Sequence, residues 1–175
     1  MTDPAPIPTL DDDDLETWAS LATMLEWLPT ALDARLQQQS GLTHFEYGIL
    51  FALADAPAGT LRMSVLADYA NSSLSRLSRA ASRLEARNWM RREADPSDGR
   101  FTLAVLTEEG RQQYQVATPG HVENVHRLVL DVLTGPQKKQ LREITRRVLR
   151  AVRDSGEWSR RTHSAAPLQS ELRRQ

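Results

Sequence analysis

Residues 72–110 read SSLSRLSRAASRLEARNWMRREADPSDGRFTLAVLTEEG, and the changes of period within them decide the fold. Leu74, Leu77, Ala81 and Leu84 recur at steps of three or four, the spacing of one helix face. The opposite face carries Ser72, Ser75, Arg76, Arg79 and Arg83. Near Asn88 the period drops to two. Residues 89–93 and 100–106 alternate as strands do, flanking Asp95-Pro96-Ser97-Asp98-Gly99, a turn-rich hairpin tip. Thr107 then caps another helix whose first turn holds Glu108 and Glu109, where acids offset the helix dipole.

Toward the N-terminus, a short helix is predicted near Ser64–Ala70, joined to the longer one by a tight link at Asn71-Ser72. Leu66 and Tyr69 join Leu74, Leu77, Ala81 and Leu84 as the inward face of this pair. Thr43-His44-Phe45-Glu46 is a capping box: the hydroxyl caps the helix and the glutamate reaches back three residues. It opens a very apolar helix that stops before Pro57 and Gly59. Upstream again, Leu15, Trp18, Leu21, Leu25, Leu28, Leu32 and Leu36 trace an amphipathic helix ended by Gly41. Pro29 is expected to kink or split it, because it removes one backbone bond at about 3 kcal/mol. Residues 1–14 combine proline with an aspartate run and read as a disordered acidic tail.

Toward the C-terminus, Pro119-Gly120 is expected to interrupt the helix begun at Thr107, with a helical pattern resuming through Val122, Val125, Leu128, Val129 and Val132. A second capping box, Thr134 to Gln137, opens a last helix with Leu141, Ile144, Val148, Leu149 and Val152. Beyond Asp154 the chain is polar. The order of helix, helix, short helix, tight turn, longer helix and hairpin is that of a winged helix-turn-helix, in which the longer helix enters the major groove and the hairpin reaches beside it. The reading is a mostly α fold with a two-stranded wing, plus N- and C-terminal helices forming a dimerisation body. Its parts are an acidic tail (1–14), a first dimerisation helix (15–40), the DNA-binding unit (41–109), C-terminal dimerisation helices (110–153) and a polar tail (154–175).

Composition narrows the function. The 175 residues hold 22 Lys+Arg against 23 Asp+Glu and no cysteine, which excludes disulfides, thiolate zinc sites and redox thiols. No apolar run is long enough to span a membrane. The first residues have neither a basic nor an apolar signal region, so a cytoplasmic protein is expected. The charge is uneven: residues 62–100 hold eight arginines and no lysine against five acids. Arginine suits forked contacts with phosphate and guanine. Ser72, Ser73 and Ser75 stand at a helix N-terminus, where phosphate is favoured, although plain N-capping uses the same residues. Arg76 and Arg79 are placed to reach base edges, or equally to lie on a solvated face.

The pieces Leu61-Arg-Met-Ser-Val-Leu-Ala, Ser73-Leu-Ser-Arg-Leu-Ser-Arg, Arg83-Leu-Glu-Ala-Arg-Asn-Trp-Met-Arg-Arg, Asp95-Pro-Ser-Asp-Gly-Arg and Ala104-Val-Leu-Thr-Glu-Glu-Gly together resemble the MarR family, over about residues 15–153. The resemblance implies a bacterial transcriptional regulator, a homodimer whose winged helices bind a near-palindromic double-stranded DNA operator, most often as a repressor. It implies that Asp98 steadies the wing and that Arg100 meets DNA. Asn88 stands where the family usually has glycine, a substitution asparagine tolerates because it visits the left-handed region.

Other chemistry is thin. His44, His121, His126 and His163 are scattered, and His121 and His126 lie about 140° apart on a helix, not on one metal-binding face. His44 is expected to face solvent, with a ligand-facing or titrating role as the alternative. No catalytic set, metal site or cofactor motif appears, so the reading is not an enzyme. Trp18, Trp27, Phe45, Tyr47 and Phe51 cluster on the first two helices. They are either core and dimer packing, the reading preferred for Phe51, or the wall of a pocket for a small aromatic or amphipathic effector. The candidate pocket residues are Trp18, Trp27, His44, Phe45 and Tyr47. From another functional class, a winged-helix protein-interaction module would show none of the salt dependence expected of a DNA binder.

Overall fold

The aspartate run assigned by composition to a tail instead starts the first helix. A computed structural model of the protein describes residues 9–154. The expected polar tail after Asp154, with His163, lies outside them. Helix α1 spans Asp12–Ser40, with Asp11 as N-cap accepting from the Asp14 N–H at 2.8 Å and Asp12, Asp13 and Asp14 in the first turn. Carboxylates there meet the positive end of the helix dipole, so the run promotes helix formation. Gly41, at φ 66°, closes α1 in the left-handed conformation.

Neither proline breaks its helix. Helix α1 passes through Pro29, and α5 (Glu108–Val125) passes through Pro119-Gly120. Each ring removes a bond to the carbonyl four residues earlier, on Leu25 and Gln115, and both of these residues are exposed, so water can take the freed carbonyl. The Thr30 hydroxyl adds a bond to the Glu26 carbonyl across the first of these turns. The interruption expected at Pro119-Gly120 comes later, at a π turn over His126–Leu130, before α6 (Gly135–Asp154).

Both capping boxes form as read. Helix α2 (His44–Asp55) opens with the Glu46 N–H donating to Thr43 Oγ1 and the Thr43 N–H donating to Glu46, each at 3.0 Å. At α6 the Thr134 N–H donates to Gln137 Oε1 at 2.8 Å. Helices α3 (Met63–Tyr69) and α4 (Leu74–Ala86) follow the expected short and long pair. Leu66, Leu77, Ala81 and Leu84 are buried, whereas Tyr69 and Leu74 are exposed. Leu74 is the first residue of α4.

The wing strands are β2 (Met90–Ala94) and β3 (Thr102–Leu106). A third strand, β1 (Thr60–Arg62), pairs antiparallel with the other edge of β3, giving the order β1-β3-β2. Three residues are too few to display alternation, so β1 left no mark in the pattern. Asn88, at φ 57°, makes the left-handed turn from α4 into β2. Thr107 Oγ1 donates to the Asn88 carbonyl at 2.6 Å and accepts from the Gly110 N–H at 3.0 Å, joining that turn to the start of α5. Gly110 allows this approach: a Cβ built there would lie 1.8 Å from the Trp89 carbonyl oxygen.

One core joins these elements through Leu36, Leu42, Ile49, Leu50, Leu53, Leu66, Leu77, Leu84, Met90 and Leu106. Helix α6 lies outside it, with no buried residue. Its Ile144, Val148, Leu149 and Val152 are exposed, as are Leu15, Trp18 and Leu25 of α1. Among the described residues, no helix is long and apolar enough to cross a membrane.

Candidate nucleic-acid interface

Helix α4 presents one arginine-bearing face, and its arginines differ in how they are held. Ser73 is the N-cap, its hydroxyl accepting from the Arg76 N–H at 3.2 Å and lying 3.1 Å from the Ser75 hydroxyl. The capping role weighed for the serines is therefore taken by Ser73, while Ser75 is exposed and Ser72 half-buried beside it. Arg79 is exposed and makes no hydrogen bond or ion pair among the described residues. The Arg76 guanidinium lies over the Phe45 ring, 4.6 Å from its centroid.

Further along, Arg83 Nε donates to Glu46 Oε1 at 2.7 Å. Burial pushes the Glu46 carboxyl up, but the Thr43 N–H and the Arg83 guanidinium together bring it below the usual carboxylate range. Arg87 reaches back to the Gly41 carbonyl at 2.7 Å. Arg83 and Arg87 thus brace α4 against the α1–α2 junction.

The wing tip is tied at two levels. Asp95, buried at its base, accepts from the Ser97 hydroxyl at 2.6 Å, the Ser97 N–H at 2.9 Å and Arg62 Nε of β1 at 2.8 Å. These donors hold its carboxyl down to about 2. The Arg62 guanidinium also stacks 4.3 Å over the Phe101 ring. At the tip, Arg100 makes a forked pair with Asp98, Nε at 2.9 Å and Nη2 at 2.7 Å, and the arginine side chain is 85% exposed. That pair lowers the Asp98 carboxyl below its usual range. On the inner side, Arg92 of β2 bonds Glu85, Ser78 and Ser82 of α4 and fixes the hairpin to the helix.

The candidate pocket residues do not come together in one chain. Trp18 and Trp27 are nine residues apart on α1, about 180° around the helix, and both are exposed. Phe45 faces Arg76. His44 and Tyr47 instead meet α5, where the His121 ring lies 5.4 Å from that of His44 and 4.2 Å from that of Tyr47. The Tyr47 hydroxyl is 3.2 Å from Thr118 Oγ1. His44, expected to face solvent, is half-buried, its amide donating to Asp33 of α1 at 2.5 Å. Nδ1 of His44 and of His121 are buried with no hydrogen-bond partner among the described residues. His126 is elsewhere, paired with Asp131.

Comparison with known proteins gives this architecture a family. The family model described as the MarR family matches residues 40–100. Sco3205 of Streptomyces coelicolor, a MarR family transcriptional regulator solved in complex with DNA, is 41% identical with a TM-score of 0.80, over 84% of this chain and 92% of that one. AbsC, a MarR family transcriptional regulator from the same organism, is 32% identical with a TM-score of 0.79, over 85% of this chain and 99% of that one. The transcriptional regulator HosA of Escherichia coli O111:H- is 30% identical over 110 residues, 63% of this chain and 79% of the relative. The chain belongs to the MarR family of transcriptional regulators.

Within this MarR family chain, several residues that organise the candidate interface had no local signal in the sequence. Arg62 and Asp95 pair across 33 positions, and Arg83 and Glu46 across 37. Nothing in the spacing of either residue announces its partner. The hairpin was findable from its turn residues, and the pairing of Asp98 with Arg100 was implied by the family resemblance.

Proposed function

We propose that this protein is a DNA-binding repressor that acts as a homodimer on a near-palindromic operator in the cytoplasm and carries no catalytic activity. The supporting observation is Arg79, exposed and unpaired among the described residues, and Arg76, exposed over the Phe45 ring, on the outer face of α4, beside a wing whose Arg100 is 85% exposed, in a chain 41% identical to a regulator solved with DNA. Arg76 and Arg79 read base edges, Ser72, Ser73 and Ser75 meet phosphate at the helix N-terminus, and Arg100, held by Asp98, enters the minor groove. Residues 41–109 form the DNA-binding unit, and residues 15–40 and 110–153 form the dimer body.

The exposed apolar stripes of α1 and α6 support the dimer, since Leu15, Trp18, Leu25, Ile144, Val148 and Leu149 are exposed among the described residues. A small aromatic or amphipathic effector acting where the dimer body meets α2, near His44 and Tyr47, completes the reading; the two buried, unpartnered Nδ1 atoms support it. The test is selection of bound DNA from genomic fragments, followed by binding at rising salt. The expected result is a two-fold-related consensus whose affinity falls by orders of magnitude between about 50 and 200 mM salt. No sequence preference with a flat salt response would leave a protein-interaction module instead.

A further inference from the structure

At the start of α2, consecutive residues meet α4 in different ways. Phe45 places its ring under the Arg76 guanidinium at 4.6 Å, and Glu46 takes the Nε of Arg83 at 2.7 Å. Arg76 and Arg83 are seven residues apart, two helical turns, and so lie on one face of α4. The capping box holds both α2 residues in place: Glu46 is buried and bonded to the Thr43 amide, and Phe45 packs against the core on the preceding position.

The two contacts leave different parts of the arginine available. An ion pair occupies N–H donors, as at Arg83, whose Nε is taken by Glu46. Stacking uses the flat face and leaves the donor edge pointing outward, which is the edge that pairs with guanine O6 and N7. An unsupported arginine in the first turn of an exposed helix samples many rotamers, and binding must then restrict them. A ring beneath the guanidinium removes part of that cost before DNA arrives. Arg79, three residues on, has no such support among the described residues.

We propose that Phe45 is a positioning residue for sequence reading: its ring holds Arg76 edge-outward so that this arginine discriminates between bases. The inference rests on the proposed base-reading role of Arg76, and it moves Phe45 from the effector pocket to the DNA interface.

The experiment is a double-mutant cycle on the full-length chain, using a duplex selected from a random pool and a scrambled duplex of the same composition. The readout is the ratio of the two affinities. Phe45→Leu keeps an apolar side chain at the site and removes the π face. It is expected to lower the ratio about two- to fivefold, the size of an exposed cation–π contact, with affinity for the scrambled duplex unchanged. In the Arg76→Ala background the same change is expected to do nothing, and Phe45→Trp is expected to restore the ratio.

A loss from Phe45→Leu that persists in full without Arg76 overturns the inference, because the ring would then act through the fold. So does an unchanged ratio in Phe45→Leu while Arg76→Ala lowers it; the DNA reading would survive that result. An inert Arg76→Ala overturns the base-reading role of Arg76 and the inference with it. Should Phe45→Leu fail to fold, the wild-type chain decides by NMR: the Arg76 side-chain resonances must be shifted upfield by the ring, and ordinary positions overturn the contact.

Discussion

Arginine does three different things in this molecule, and the difference lies in which part of the guanidinium is already engaged. Arg83 donates its Nε to Glu46, Arg92 donates to Glu85, Ser78 and Ser82, and both hold elements together. Arg79 has none engaged among the described residues. Arg100 is forked to Asp98 yet remains 85% exposed. We therefore expect Arg79→Ala to cost about 1–3 kcal/mol and to relax preference at one position per half-site, seen by comparing selected consensus sequences. Arg100→Ala is expected to weaken binding to most sequences alike and reduce the salt slope by about 1, since a groove-lining cation reads potential and shape. A consensus altered by Arg100→Ala and unaltered by Arg79→Ala would reverse the two roles. Gly110 makes a separate point about packing. Gly110→Ala sets a Cβ against the Trp89 carbonyl with no flexible side chain to yield, so a loss of about 1–3 kcal/mol or more is expected in denaturant unfolding. An unchanged midpoint would mean the α5–wing junction is looser than this geometry.

At the scale of elements, the legible features were those whose partners lie within a turn. The capping boxes Thr43–Glu46 and Thr134–Gln137, the Ser73 cap and the tip from Asp95 to Arg100 are written in spacings of two to five residues. What stayed hidden depends on distant segments meeting: β1 against β3, Arg62 on Asp95, and His44 against His121. The prolines show the complementary error. A local rule predicted a kink or split at Pro29 and an interruption at Pro119-Gly120, but the freed carbonyls fall on exposed residues and neither helix is split there. The histidine contact between α2 and α5 carries a pH prediction. Burial lowers His44 against the opposing pull of Asp33, and burial together with the His44 charge lowers His121. A histidine whose folded pKa lies below its unfolded one binds fewer protons when folded. Its contribution to stability is full above the ordinary value of 6.5 and drains away as pH falls below it. Melting temperature is expected to drop between about pH 7.5 and 5.5, and to drop less in His121→Gln. An equal drop in that variant would place the acid sensitivity in other groups.

For the whole molecule, the winged unit was readable because its periods switch at defined points, from helix to strand at Asn88 and back at Thr107. The proposed dimer body has only surplus apolar surface to mark it in the sequence. Helix α6 buries nothing within one chain, yet carries Ile144, Val148, Leu149 and Val152. A symmetric partner covers such stripes, and Ile144→Glu with Val148→Glu is expected to give a folded monomer, with the core unaffected, by sedimentation at micromolar concentration. A dimer that persisted would place the contact elsewhere. In the proposed dimer, symmetry also fixes where two copies of α4 meet DNA. Hydroxyl-radical footprinting of the dimer on its selected duplex measures it. The proposed dimer is expected to give two protected regions related by a two-fold axis, their centres about one helical turn apart and each flanked by weaker wing protection. A single protected region, or protection without two-fold symmetry, would contradict it.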